Sequence, residues 1–186
     1  MVARRQVALV GISILALLTA GLLAQGRVLV CTCGIIALWS GDIYSNQQSQ
    51  QLADPYSFSH IEHGLAFFWL VRLLWPAGSL PARLVGATAV EAGWELLENS
   101  SIVINRYRET TISLGYVGDS VLNSMGDVGF AAVGFSLASR LSGRMTVLAV
   151  AALEVGQAFW IRDGVILNII MLLYPIDAIR EWQSGA

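Results

Sequence analysis

Glu91, Glu95 and Glu98 recur at i, i+4 and i+7, and Asp119, Asn123 and Asp127 at i, i+4 and i+8. On a helix each trio shares one face. Both trios lie in segments otherwise apolar enough to enter a bilayer, where an ionisable side chain is expensive and marks a functional site by default. His60 and His63, at i and i+3, add a third face, and neutral imidazole is the commonest metal ligand. Imidazole and carboxylate together make a donor set for one or two divalent ions such as Zn, Mn or Fe. In this reading His60, His63, Glu91 and Asp119 hold the metal, and Glu95, Glu98 and Asp127 are the catalytic carboxylates. A metal lowers the pKa of a bound water and makes it the nucleophile. A carboxylate off the metal, such as Glu98, serves as base. Arg106, Arg108 and Asn123 are the ligand-binding candidates, because a guanidinium fork matches a phosphate. The sequence has neither H-E-x-x-H nor H-x3-H spacing. The bland alternative is a set of structural carboxylates paired with arginine or capping helices.

The elements that must position these residues are helices in a membrane. Of 186 residues 55% are hydrophobic and 13% charged, and mean hydropathy is +0.63. A soluble domain carries about 25% charged residues. This composition predicts an all-α polytopic transmembrane bundle, one domain over 1–186, with about six membrane helices of ~20 residues each. A net charge of -2 excludes a nucleic-acid partner as the expected one. All eleven basic residues are Arg, so Schiff-base and P-loop chemistry, which need Lys, are excluded.

Apolar periodicity places helices over 7–24, 59–75, 84–104, 119–137, 145–161 and 165–179, the first read as an uncleaved span and the last as kinked at Pro175. Ser59 with Glu62 has the form of a capping box opening the second. Gly126, Gly129 and Gly134 thin one side of the fourth and admit a close neighbour. The polar segment 27–57 reads as a periplasmic loop lying at the interface with a short helix, its Trp39, Tyr44 and Tyr56 at headgroup level. Within it Cys31 and Cys33 read first as two small apolar residues, although C-x-C also permits a disulfide or a soft metal in an oxidising compartment. The segment 105–118 reads as a loop in which Arg106 and Arg108 point the same way if the backbone is extended.

Arginine asymmetry favours both termini in the cytoplasm. With that orientation the histidines, both acidic trios, Glu154, Gln157 and Asn168 all fall in the outer half of the bundle, and the inner half is almost wholly apolar. A polar cavity open to the periplasm follows, with Glu154 and Asn168 as its far wall.

The runs CTCG-x3-LW, S-x2-NQQSQQLAD-x-YSFSHIEHG, WELLENS-x3-INRYRE, GYVGDSVLNSMGD and LNIIMLLYPIDAIREWQ resemble an uncharacterised family of bacterial inner-membrane proteins found mainly in alphaproteobacteria. That resemblance covers most of the chain after the first helix and implies no activity. Glu95 or Glu98, then Arg108, then Asp119-x3-Asn123-x2-Gly126 also resembles the pattern of VanZ-like membrane proteins, which implies an envelope-facing role. The leading expectation is a metal-dependent membrane hydrolase of the inner membrane acting on an envelope lipid or lipid-linked phosphate, with membrane lipids as its surroundings. The competing readings are non-catalytic binding of an envelope ligand and a scaffold for membrane-complex assembly. A proton- or ion-coupled transporter is disfavoured by the absence of inverted repeats and of a polar path through the inner half.

Overall fold

Serines decide where four of the helices begin. Ser79, Ser100, Ser120 and Ser142 each accept a bond from the backbone N–H three residues on, at Ala82, Val103, Asn123 and Met145. Such a cap stabilises a helix by about 1 kcal/mol and fixes its first turn. In the computed structural model, which describes residues 2–113 and 115–185, the elements are α1 (Val2–Ala24), α2 (Ser57–Leu74), α3 (Leu80–Glu98), α4 (Ser101–Thr110), α5 (Val121–Ala138), α6 (Gly143–Trp160), α7 (Val165–Leu173) and α8 (Asp177–Ser184). The fold is an all-α bundle, with no strand among the described residues.

The centre is the α2–α5 pair. A Cβ on Gly64 of α2 would collide with the Ala131 carbonyl and the Phe135 N–H, and a Cβ on Gly134 of α5 with the Ile61 carbonyl. The two backbones therefore touch where both helices carry glycine. Gly126 meets the Leu52 carbonyl of the loop, whereas Gly129 faces open space. Around this pair, α3 and α6 pack on α2, α1 packs on α3 and α5, and α4 packs on α7. One end of the bundle is apolar, built on Leu65, Phe68, Val71, Ala87, Phe135 and Ala138. The buried carboxylates and histidines of α2, α3 and α5 occupy the other end.

Among the described residues two helices are long and apolar enough to cross a membrane, at Arg5–Ala24 and Val121–Ala138, and α6 with α7 makes a third if the pair, bent by 74°, is one span. Helices α2 and α3 correspond to expected spans but fall outside that count. Their His60, Glu62 and His63, and Glu91, Glu95 and Glu98, lower their apolar character. On α1, Leu9, Val10, Ile12 and Leu17 are more than half exposed. Such a face is the surface a bilayer covers, and it indicates membrane association.

Several expected boundaries move. The third predicted helix breaks at Asn99–Ser100, because Ser100 caps α4 instead of continuing α3. Arg106 and Arg108 therefore stand on a helix and diverge, contrary to the shared face expected of an extended loop. The last predicted helix breaks at Pro175 into α7 and α8. No capping box opens α2: the helix starts at Ser57, and the Ser59 hydroxyl donates to Gln157. The loop between α1 and α2 contains no helix. Part of it is packed into the bundle. Ser49, Gln50, Gln51 and Asp54 are buried, and the N–H groups of Ser120, Val121 and Leu122 donate to Ser49, Val28 and Leu29. The loop thus closes the polar end of the bundle. Tyr56 is half-buried, with its hydroxyl donating to Asp163. Cys31 and Cys33 are joined in a disulfide, where two unpaired apolar residues were expected.

Candidate functional site

The first turns of α2 carry His60 and His63 one above the other, and both rings turn Nδ1 toward Glu91 on α3. The distances are 2.5 Å from His60 to Oε1 and 3.1 Å from His63 to Oε2. A carboxylate bonded to Nδ1 fixes the ring and leaves Nε2 as the free ligand atom. One turn further along α3, Glu95 Oε1 lies 3.4 Å from the same His60 Nδ1. From α5, Asp127 Oδ2 lies 3.8 Å from His60 Nε2, and its other oxygen accepts from the Ser57 hydroxyl at 3.1 Å. Three helices thus meet at His60.

Glu95 is fully buried, and among the described residues no hydrogen-bond donor reaches either of its carboxylate oxygens. A buried polar group without a partner costs about 1–3 kcal/mol, more if charged. Such a group in a native fold calls for an ion or ligand. Among the described residues two sets of three side chains bring their ligand atoms within 4.8 Å of one another: His60, His63 and Glu91, and His60, Glu95 and Glu98. Asp119 belongs to neither. Its Oδ2 accepts from Asn99 Nδ2 at 2.7 Å and its Oδ1 from the Tyr116 hydroxyl at 2.9 Å, while its own N–H donates to Asn99 Oδ1. It precedes α5 and does not share that helix face, contrary to the periodic reading. Asn99 holds it in place instead.

His60, His63, Glu98, Asp119, Asn123 and Asp127 line a cavity of about 610 Å³. Glu91 and Glu95 stand behind the histidines. The side of the cavity toward α3 and α6–α7 is apolar, with Phe67, Trp94, Leu97, Val150, Ile169 and Leu172. Glu154 and Asn168 form part of its wall. Glu62 accepts from Gln157 Nε2 at 2.9 Å, and Gln157 accepts from Ser59. Asp54 takes the backbone N–H groups of Ser49 and Tyr56. Burial nevertheless pushes its carboxyl above the ordinary range.

The two arginines lie outside the cavity lining. Arg106 Nε donates to the Leu172 carbonyl at 2.8 Å, and Arg108 Nε to the Tyr116 carbonyl at 2.5 Å. Asn123 donates to the Gln51 carbonyl at 2.9 Å and so ties α5 to the loop. Sequence reasoning missed Asn99, Tyr107 and Tyr116, which hold Asp119 and Glu98. Asn99-Ser100-Ser101 was readable as a helix stop, and that signal would have separated α4 from α3.

Residues 22–185 match the family described as "Protein of unknown function (DUF2585)". The chain is 45% identical over 177 residues to a UPF0314 protein of Sphingopyxis alaskensis, covering 95% of this chain and 94% of that one. It is 44% identical to a UPF0314 protein of Brucella anthropi, with 96% and 90% covered. To a UPF0314 protein of Rhizobium meliloti it is 47% identical, with 87% and 82% covered. No solved structure matches the chain. With the family model spanning nearly the whole bundle and near-full-length relatives across the alphaproteobacteria, this chain belongs to the DUF2585 (UPF0314) family of alphaproteobacterial proteins.

Proposed function

We propose that this is a multi-pass inner-membrane protein whose polar cavity holds a divalent metal, Zn, Mn or Fe, and hydrolyses an ester bond of an envelope lipid or lipid-linked phosphate. The observation that carries the proposal is Glu95, a buried carboxylate without a donor beside two oriented imidazoles. A cation between these groups supplies the missing partner, and the neighbouring like charges then coexist in a low dielectric.

His60 and His63 are the nitrogen ligands, and Glu91 sets their orientation through Nδ1. Glu95 lies on the Nδ1 side of His60 and Asp127 on its Nε2 side, so either would add an oxygen donor beside this ring. When bound, the metal supplies a Lewis acid and an acidified water. Glu98, whose ligand atom lies within 4.8 Å of those of His60 and Glu95, would serve as the base that takes a proton from a water attacking the ester centre. Cleavage of the ester C–O or P–O bond would follow, with the leaving alcohol oxygen taking back the proton held by Glu98. Tyr107, whose hydroxyl donates to Glu98 at 3.1 Å, fixes this carboxylate. The apolar wall accommodates the substrate's hydrocarbon.

Both termini are assigned to the cytoplasm and the cavity to the periplasmic side. The arginine distribution favours this orientation. The Cys31–Cys33 disulfide lies in the loop that closes the polar end, and such bonds persist in oxidising compartments.

The test is elemental analysis of detergent-purified protein. One metal per chain is expected in the wild type, with loss of at least about tenfold in affinity in His60→Ala and Glu95→Ala. Metal-free wild-type protein under metal-replete expression would leave non-catalytic ligand binding as the reading.

A further inference from the structure

The cavity's charge narrows what enters it. Its polar end is acidic, with Asp54, Glu62, Glu98, Asp119, Asp127 and Glu154 in the lining. Among the described residues no arginine lines it, and the chain has no lysine. The arginines nearest in sequence, Arg106 and Arg108, are bonded through Nε to the backbone carbonyls of Leu172 and Tyr116. A dication held by His60 and His63 would offset two of these carboxylates and leave the rest. Beyond His60 and His63, both tied to Glu91, an anionic head group would meet no compensating side chain in the lining, and like charges in a low dielectric repel strongly.

Aromatic rings stand beside the carboxylates. Tyr56, Trp94, Tyr107 and Tyr116 all border the cavity. Tyr107 and Tyr116 donate their hydroxyls to Glu98 and Asp119, and their rings pack edge to face with centroids 5.5 Å apart. Carboxylates interleaved with aromatic faces are the chemistry that takes an ammonium ion, the rings through their negative faces. The same unpartnered Glu95 that calls for a metal marks this end for a cation of either kind. Its ligand atom lies within 4.8 Å of those of His60 and Glu98, both in the lining.

An apolar mouth completes the site. Helices α3 and α6 both pack on α2 and make no extended contact with each other among the described residues. Gly93 on α3 has no atom within 4 Å of where a Cβ would stand. The rim residues Val90, Leu97, Ile166 and Ile169 are 41–54% exposed. A volume of about 610 Å³ lies within the usual range for small-molecule sites.

We infer that the cavity takes an amphiphile with a cationic amine or quaternary ammonium head, the head beside Glu98 and the Tyr107 and Trp94 rings and the chain leaving between α3 and α6–α7. This rests on the proposed lipid site but not on the metal, and it selects against the phosphate-headed substrate. The test uses full-length protein purified in an uncharged maltoside and stripped of metal by chelation. Dodecyltrimethylammonium and dodecyl phosphate are added at equal concentration, and retained adducts are counted by native mass spectrometry. Retention of the ammonium amphiphile at least about tenfold above the phosphate is expected. Glu98→Gln and Trp94→Leu should each reduce it severalfold while the helical signal and elution volume stay unchanged. Equal retention, preference for the phosphate, or retention of neither overturns the inference. Ammonium retention by a protein that takes up no metal would remove the hydrolase reading alone. Metal uptake without ammonium preference would remove this inference alone.

Discussion

Glu95 Oε1 lies 3.4 Å from His60 Nδ1, yet neither Glu95 oxygen accepts a hydrogen bond among the described residues. His60 Nδ1 already lies 2.5 Å from Glu91. In metal-free protein the Glu95 carboxylate is therefore a cost, whereas with a cation present it is a ligand. The Glu95→Gln substitution keeps the shape and removes the charge. Metal-free E95Q should melt at or above the wild-type temperature, with a gain of up to about 1–3 kcal/mol. Thermal unfolding in detergent reads this directly. A marked loss of stability would make Glu95 a structural ion-pair partner of His60. The contrast with Asp119 is instructive. That carboxylate is equally buried, yet Asn99 and Tyr116 supply donors to both oxygens, so it has no unmet demand.

At the scale of elements, the site depends on how closely α2 approaches α5. His60 and Asp127 meet because Gly64 lets the Ala131 carbonyl lie against the α2 backbone. Gly64→Ala should force the helices apart and destabilise the protein by about 1–3 kcal/mol or more. It should weaken metal uptake in parallel. Gly129→Ala, one of the glycines predicted to admit a neighbour, meets nothing within 4 Å. It should be neutral or stabilising by up to about 1 kcal/mol through helix propensity. Melting temperatures of the two variants check the pair, and equal effects would contradict the packing described.

Across the whole molecule, the polar end, the disulfide and the closing loop lie together, and the apolar core fills the opposite end. In the proposed membrane reading, this asymmetry presents the cavity to one side. Single cysteines at Ser45 in the closing loop and at the exposed Gly115, in a background lacking Cys31 and Cys33, should react with an impermeant maleimide on intact spheroplasts. Labelling only after permeabilisation would place the cavity on the cytoplasmic side and remove the envelope-facing reading.

Composition and periodicity by themselves determined the helical class and the acidic faces that the helices carry. Apolar runs set the helices, and the cost of burying charge forces each acidic face inward. The partners of those faces were decided only by tertiary contacts. Nothing in the spacing of Asp119 shows that Asn99 would hold it, because the two are joined across a helix break. Nothing in Arg106 or Arg108 shows that carbonyls at Leu172 and Tyr116 would occupy them, since backbone acceptors are blind to sequence. The polar run 46–51 reads as solvated loop by composition. The α5 N-terminus buries part of it, because the unpaired N–H groups there need the carbonyls of the loop.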